Sequence, residues 1–289
     1  MTATYLYNLS TSNGIVPCNW VRLNIDGVTG EIYVADSSER LVRVFNEAGM
    51  ETYTFTDNGE YVVVDMVALE NGDLILLSNP GIKGARYSLI RANFRGEFQA
   101  AIPLSGIPED FGEFSPTQLT QHKGVLYLVD RQAMKVLAVT PDGACTASYQ
   151  LGKMLGLTDS QIRDSGLGGF SVDDRGNMLF TLPVDFKAYV MAPDRTMKTF
   201  GSRGSSPGKF NIVSGIVADS RGTIFVLDTL RSVVMIFNSD FSFVTEFGFR
   251  GYGPGNLVIP ADLFQDKTGR IYVTQGANRG VSVYKISYN

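Results

Sequence analysis

The sequence has very few of the residues that build metal centres and disulfide frameworks. Its 289 residues include two cysteines, one histidine and one tryptophan. Because Cys18 and Cys145 lie far apart and form no Cys-x-x-Cys pair, we expect free thiols rather than a disulfide scaffold or a metal knuckle. The single histidine, His122, lies in a predicted hairpin turn at 121–124 and cannot build a multi-histidine metal site. A Ser-His-Asp triad is not expected either, because it would require His122 to leave this turn.

Long apolar runs and an excess of positive charge are also missing. No run reaches the roughly 18 consecutive apolar residues of a membrane-spanning helix, so we expect no membrane insertion. The 25 Lys and Arg against 29 Asp and Glu give a net charge of -4, which disfavours nucleic acid as a partner. The first residues, MTATYLYNLS, lack the basic and apolar regions of a signal peptide. We therefore expect a cytoplasmic protein, or a periplasmic or extracellular one if a signal peptide was removed.

Glycines and aromatic residues are abundant instead. The 31 Gly, 11 Pro, 13 Tyr and 18 Phe favour many short strands and turns over long helices. One phrase recurs six times, clearly at 31–45, 223–237 and 270–284 and more weakly at 73–90, 125–139 and 177–191. The residues that close the first strand of each phrase are Asp36, Ser78, Asp130, Leu182, Asp228 and Gln275. Their spacing of 42 to 52 residues is typical of propeller blades.

Each period predicts four short strands. Residues 211–248 give the clearest case, with strands at 212–218, 223–227, 233–237 and 243–247 and a hairpin turn at 219–222. We predict a single domain over residues 1–289 with blades at about 13–55, 56–102, 103–151, 152–201, 202–248 and 249–289. The last blade has three strands of its own, so we predict that residues 4–9 form its outer strand and close the ring.

Three blades resemble the NHL repeat. The segment GSRGSSPGKFNIVSGIVADSRGTIFVLDTLRSVVMIFNSDFSFVTEFG (201–248) has the Gly/Pro-rich lead-in ending in GKF, the Asp-x-x-Gly turn, the Arg-containing turn and the final FG of that family. FRGYGPGNLVIPADLFQDKTGRIYVTQ (249–275) repeats the lead-in and the core, and IDGVTGEIYVADSSERLVRVF (25–45) matches after one inserted turn residue. Blades two to four lack this lead-in, and Leu182 replaces the strand-end Asp. The resemblance implies an all-β, six-bladed propeller of four-stranded antiparallel blades, a fold that hosts unrelated functions.

Basic residues recur in equivalent turns of the blades. They are Arg40, Arg86, Arg131, Lys187, Arg231 and Arg279. As a rim, they would present positive charge to an acidic protein partner. The structural alternative, which repeat logic favours, is that the strand-end acids pair with the arginines that follow them and fix the stacking of the blades. These pairs would be Asp36 with Arg40, Asp130 with Arg131 and Asp228 with Arg231.

Further candidates lie where the inner strands begin and where loops exceed the needs of the scaffold. Trp20 is either interblade core, which its residue type favours, or a stacking surface for a partner. Asn19, Gln118 and Asp262 are the channel-mouth candidates. The segment 103–119 is a long acidic and aromatic loop, and the insertion 152–170 contains a capping box at Thr158 and Gln161.

These features favour a non-catalytic NHL-type propeller that serves as a protein–protein interaction platform or an assembly subunit. Its binding face would consist of the lead-in loops, Trp20 and the basic turns, with no catalytic residue, cofactor or metal. The alternative is a divalent-cation-dependent hydrolase or lyase whose site lies in the central channel. That site would hold calcium, with Asp262 and Asn19 as ligands.

Overall fold

The computed structural model describes residues 1–56, 59 and 61–288. The chain divides into two compact units. We call residues 22–166 the central unit, and residues 1–21 with the chain from 167 onward the terminal unit. No helix in the described part of the chain has the length and the apolar content that crossing a bilayer requires.

Three strands precede the central unit, and they are β1 (Thr2–Asn8), β2 (Ser10–Thr11) and β3 (Gly14–Ile15). The central unit contains three four-stranded antiparallel sheets, which we number blades one to three. Their strands are β4 (Arg22–Ile25), β5 (Ile32–Asp36), β6 (Leu41–Phe45) and β7 (Glu51–Thr56); β8 (Val63–Ala68), β9 (Leu74–Ser78), β10 (Ser88–Ala92) and β11 (Phe98–Ile102); and β12 (Gln118–His122), β13 (Val125–Asp130), β14 (Lys135–Val139) and β15 (Cys145–Gln150). The unit also has 3-10 turns at Ile82–Gly84 and Glu109–Phe111 and two helices, α1 (Leu151–Met154) and α2 (Asp159–Ser165).

The terminal unit contains blades four to six. Blades four and five consist of β16 (Phe170–Val172), β17 (Met178–Leu182), β18 (Lys187–Met191) and β19 (Met197–Phe200), followed by β20 (Val213–Ala218), β21 (Ile224–Asp228), β22 (Val233–Phe237) and β23 (Phe243–Gly248). Blade six consists of β24 (Pro260–Gln265), β25 (Arg270–Gln275) and β26 (Val281–Ser287) together with β1. A 3-10 turn at Pro183–Asp185 joins β17 to β18.

The N-terminal strand completes the last blade, as predicted. The strand order is β1-β26-β25-β24, and β1 runs antiparallel to β26 with Thr2 opposite Ser287 and Tyr5 opposite Tyr284. The six four-stranded antiparallel sheets therefore form an all-β six-bladed propeller, as the repeat and its spacing predicted. Because β1 pairs with β26, the third strand of blade six has a hydrogen-bonded neighbour on both sides.

Continuous apolar runs form the second strands of the blades because neighbouring sheets cover both of their faces. Every residue of β5, β9, β17 and β21 is buried. The fourth strands are more polar, and β11 exposes four of its five residues. In the central unit, Tyr33 and Val44 of blade one pack in one cluster with Met66 and Leu76 of blade two. The core of each unit thus lies between consecutive sheets.

The antiparallel order also fixes where the loops lie. The turn between the second and third strands and the loop that leads into the first strand lie at the same end of every sheet. In the terminal unit this end is formed by residues 16–21, 183–187, 201–212, 228–232, 249–260 and 275–280. We call it the turn face of the terminal unit.

Candidate interaction surface

Buried strand-end carboxylates hold the turns against the lead-in loops. Asp228, which is fully buried, accepts hydrogen bonds from the backbone N–H groups of Asn211 at 2.7 Å and Arg231 at 3.0 Å. In blade three, Asp130 accepts hydrogen bonds from the backbone N–H groups of Ser115 and Ala133, both at 2.8 Å. Each carboxylate therefore joins the second turn of a blade to the loop that leads into that blade, and makes this end of the sheet rigid.

The predicted pairing of Asp228 with the guanidinium of Arg231 is wrong. The Nη2 of Arg231 donates to Glu246 Oε1 at 2.6 Å, and its Nη1 lies 3.5 Å from the sulfur of Met235. Backbone N–H groups already occupy the carboxylate of Asp228, so the arginine turns toward the third and fourth strands of its own blade. In blade one, Arg40 donates from Nη2 to the carbonyl oxygen of Tyr61 at 3.2 Å.

The turn face of the terminal unit carries a large excess of positive charge. Its segments contain six basic residues, which are Lys187, Arg203, Lys209, Arg231, Arg250 and Arg279. Only two acidic residues, Asp185 and Asp228, lie in the same segments, and Asp228 is buried. Glu246 of β23 pairs with Arg231, so the other five basic residues supply the excess of positive charge at this end of the unit, in a chain whose net charge is -4.

Large apolar side chains are exposed among these charges. Tyr252 is 72% exposed, Trp20 62% and Phe249 58%. The others are Val184, Ile212, Leu230 and Ile259. The interblade-core interpretation of Trp20 is therefore wrong. Its backbone has a positive φ of 49°, its N–H donates to the carbonyl oxygen of Gln275 at 3.1 Å, and the local chain path turns the indole outward.

Several of the arginines lie against aromatic rings or carbonyl groups of the same surface. The guanidinium of Arg279 lies 5.7 Å from the ring centre of Tyr252, and that of Arg203 lies 5.2 Å from the ring centre of Phe186. Arg250 donates from Nη2 to the carbonyl oxygen of Leu230 at 3.0 Å. These contacts orient the guanidinium groups while Arg203 and Arg250 remain exposed.

The remaining predicted residues occupy different environments. Asn19 is bonded to Asn278 through Nδ2 to Oδ1 at 2.6 Å and accepts from its N–H at 2.8 Å. Gln118 and Asp262 are buried at the starts of first strands, and Asp262 accepts from the N–H of Leu263 at 2.9 Å. Lys187 is half-buried at the start of β18. Their predicted roles stay predictions.

The histidine, the two cysteines and the acidic residues bear on metal binding and thiol chemistry. Within residues 1–56, 59 and 61–288, no group of three or more His, Cys, Asp or Glu side chains has the geometry to hold a metal ion. His122 ends β12, and Cys18 and Cys145 are free thiols, as predicted. The calcium-dependent alternative stays a prediction without a described ligand cluster.

Arg86 and Arg131 lie in the central unit, where they border a cavity of about 980 Å³. The long loop 103–119 and the insertion that follows β15 line the same cavity, so the two irregular segments meet at the lead-in end of blade three. The predicted capping box is present, because Thr158 accepts from the N–H of Gln161 and the Gln161 side chain accepts from the N–H of Thr158.

Sequence reasoning missed two features. The first is a buried ion pair, in which Nε of Arg22 lies 3.0 Å from Asp65 Oδ2 and the same oxygen accepts from the N–H of Leu119 at 2.8 Å. Burial raises the pKa of Asp65, and the attraction of Arg22 partly offsets that rise. The acid joins the first strands of blades one, two and three. The sequence feature that could have indicated this buried acid is a single carboxylate within the apolar run at 61–69.

The second is the identity of the residues that the lead-in loops contribute to the turn face. These loops were predicted to belong to the binding face, but their residues Arg203, Lys209, Phe249, Arg250 and Tyr252 were not among the named candidates. The detectable signal was the alternation of basic and aromatic residues with glycine at 201–210 and 249–257.

Comparison with known proteins gives information on the fold only. No protein-family model and no curated protein matches this sequence. Among solved structures, the chain is similar to a streptogramin B lyase, with a TM-score of 0.60 and 13% identity over 99% of this chain and 89% of the lyase. It is similar to a protein of unknown function from Bacteroides thetaiotaomicron, with a TM-score of 0.67 and 10% identity over 99% and 76% of the two chains. The WD40 propeller domain of Doa1 matches with a TM-score of 0.57 and 12% identity over 96% and 81%. At these identities the likeness concerns the fold alone.

Proposed function

We propose that this chain is a non-catalytic NHL-type propeller that serves as a protein-interaction platform, and that an acidic protein partner binds the turn face of its terminal unit. One observation carries the proposal. Six basic residues, of which Arg203, Lys209 and Arg250 are exposed, and seven exposed large apolar side chains are concentrated at one end of three adjacent blades, in a chain whose net charge is negative. Exposed apolar patches with a polar surround mark interaction sites on soluble proteins.

The residue types on this surface are those that dominate binding energy in protein complexes. Trp, Tyr and Arg are enriched among residues whose truncation costs about 2 kcal/mol or more of binding energy. Trp20 and Tyr252 supply rigid aromatic surface, while Arg203 and Arg250 supply exposed charge. An acidic segment with apolar side chains would cover the rings and neutralise the guanidinium groups, and the positive field would increase its association rate.

The loops that carry these residues are held in place before any partner arrives. Arg203 pairs with Phe210 and Arg250 pairs with Leu257 in isolated bridges at the base of the two glycine-rich loops. Phe210 and Leu257 are fully buried and anchor the loops to the core. A preorganised surface loses little conformational entropy on binding, so its contacts translate more fully into affinity.

The NHL assignment is supported by the equivalence of these two loops. In both, a basic residue and a residue of the buried core close a glycine-rich loop of the same length. Each loop then leads into a first strand, and the second strand ends in a buried Asp228 or Gln275. Gln275 accepts from the N–H of Val258 at 2.8 Å, as Asp228 does from Asn211.

The test is a selection of random displayed peptides on the immobilised full chain. We expect acidic peptides with one or two large apolar residues to be enriched, because they match both components of the turn face. The double variant Arg203→Glu/Arg250→Glu should lose these peptides, since it reverses two exposed charges while leaving the core untouched. Arg175→Glu is the matched control, because Arg175 is exposed in the first turn of blade four, at the opposite end of the sheet.

Recovery of neutral or basic peptides would contradict the proposal. So would equal retention of acidic peptides by the double variant and the wild-type chain. Circular dichroism and thermal unfolding of each variant establish that a loss of binding is not a loss of folding.

A further inference from the structure

The cavity in the central unit is a second and separate feature. Its volume of about 980 Å³ lies at the upper end of the range of small-molecule sites. Three parts of the chain form it: the loop that leads into blade three, the turn between β13 and β14, and the insertion that contains α1 and α2. Because the repeat needs neither the long loop nor the insertion, this cavity is not a by-product of blade packing.

Side-chain hydrogen bonds fix the walls of the cavity. Lys135 donates from Nζ to the carbonyl oxygens of Phe111 at 2.5 Å and Glu113 at 2.8 Å, which holds the long loop against β14. Gln132 donates from Nε2 to the carbonyl oxygen of Arg163 at 2.6 Å, which holds α2 against the turn. At Gly152, an added Cβ would lie 2.6 Å from the side chain of Ile162, so a larger residue there would displace Ile162 from its packing against α1. The cavity is therefore preformed.

An aromatic pair lies beneath the cavity. Phe111 and Phe114 are 1% and 7% exposed, with ring centres 5.1 Å apart, so they form its floor and offer little surface to a ligand. Ile162 of α2, which is half-buried, supplies an aliphatic contact surface. This part of the cavity suits the apolar body of a ligand.

The charged residues around it favour an anion. The basic residues are Arg86, Arg131, Lys135, Lys153 and Arg163, and the acidic residues are Asp110, Glu113, Asp130 and Asp159. Glu113 is 3.0 Å from Arg86, so these two charges offset each other, and Asp130 accepts from two backbone N–H groups. Four basic residues then face three acidic ones. Lys153 and Arg163 extend from exposed positions of the insertion and supply positive charge at the rim.

We propose that this cavity binds a small organic anion, a carboxylate or a phosphate ester with an aromatic or aliphatic body. The anionic group would pair with Lys153 and Arg163, and the body would lie against Ile162, above the floor that Phe111 and Phe114 form. This site is independent of the turn face of the terminal unit, so either proposal can fail without the other.

The experiment is isothermal titration calorimetry on the full chain with three probes of similar size: phenyl phosphate, phenylacetate and benzylamine. We expect both anions, or one of them, to bind at millimolar concentration and benzylamine to bind much more weakly. The relative affinities of the first two probes distinguish a phosphate site from a carboxylate site. The variant Lys153→Glu/Arg163→Glu should weaken anion binding by about tenfold or more.

Two further variants distinguish the effect of filling the cavity from the effect of changing the charge of the chain. Thr117→Trp places a large ring in the cavity from an exposed position and should abolish binding of the anions with the basic residues intact. Arg95→Glu, in the turn between β10 and β11, is exposed and does not line the cavity, so it should bind as the wild type does. Equal affinity for benzylamine and the anions would overturn the proposal, and so would an absence of anion binding or its full retention in Thr117→Trp.

Discussion

Tyr5 on β1 lies directly opposite Tyr284 on β26, with ring centres 5.8 Å apart and an edge-to-face angle of 70°. Two other contacts tie the same strands to their surroundings. The Tyr284 hydroxyl donates to the carbonyl oxygen of Gly255 at 3.0 Å, and Asn8 donates from Nδ2 to the carbonyl oxygen of Arg279 at 3.0 Å. The N-terminal strand is therefore an integral part of blade six, and these contacts connect blade six to the turn-face segments that contain Gly255 and Arg279.

Deletion of residues 1–9 should lower the unfolding temperature sharply, because it removes a complete outer strand and exposes the edge of β26. Differential scanning calorimetry gives the measurement. Tyr5→Phe is the matched control, since it keeps the ring and removes only the hydroxyl that donates to Asn8 at 2.7 Å. We expect it to cost about 1 kcal/mol of unfolding free energy. An unchanged unfolding temperature after the deletion would show that the closure contributes nothing to stability.

Stability should fall at alkaline pH. Burial and a hydrogen bond to the carboxylate of Asp219 raise the pKa of Tyr288 to about 12. Burial also raises the pKa of Tyr284. Because tyrosine in the unfolded chain titrates near pH 10, the unfolded state loses these protons first and stability declines as the pH rises from about 10 to 12.

The urea midpoint measured from pH 8 to pH 12 checks this decline. Tyr288→Phe should show a shallower fall above pH 10, since it has no phenol to titrate. An identical slope in the variant and the wild type would rule out Tyr288 as a contributor.

The buried carboxylate of Asp228 should be essential to the fifth blade. Asp228→Ala leaves the N–H groups of Asn211 and Arg231 without their acceptor. Each unsatisfied buried group costs about 1–3 kcal/mol, so we expect the two groups together to lower the free energy of unfolding by about 2–6 kcal/mol in chemical unfolding. The exposed Asp185 is the control, and Asp185→Ala should change stability by less than about 0.5 kcal/mol. A small effect at Asp228 would show that water replaces the carboxylate.

Trp20→Ala should separate binding from folding. As Trp20 is 62% exposed, its removal should cost less than about 1 kcal/mol of unfolding free energy, whereas truncation of a core tryptophan costs about 3–5 kcal/mol. The same variant should weaken the binding of a selected acidic peptide by about tenfold or more. Fluorescence anisotropy and thermal unfolding measure the two effects. Lost stability with unchanged affinity would restore the core interpretation.

The sequence predicted the fold well because a propeller repeats its signal. Six copies of one phrase, with a turn at 219–222 and similar turns elsewhere, reinforce one another where a single copy would be ambiguous. The missing fourth strand of the last blade then had only one source, and residues 2–8 supply it. The capping box at Thr158 and Gln161 was equally local and was also correct.

The side-chain details were harder because several partners competed for each group. Asp228 and Arg231 are close in the sequence, but backbone N–H groups reach the carboxylate first and leave the arginine to Glu246. The direction of Trp20 depends on its positive φ, which a composition-based estimate of burial does not contain. The pairing of Arg22 with Asp65 depends on the alignment of two blades, and no local pattern encodes that alignment.

Hydrogen-exchange mass spectrometry of the full chain, with and without the selected acidic peptide, tests the central claim most directly. We expect slower exchange on peptide binding in the segments 16–21, 201–212, 249–260 and 275–280 of the turn face, and no change in the first and third turns of the same blades. Protection confined to other surfaces, or equal protection in Arg203→Glu/Arg250→Glu, would contradict the assignment of the turn face as the partner-binding surface.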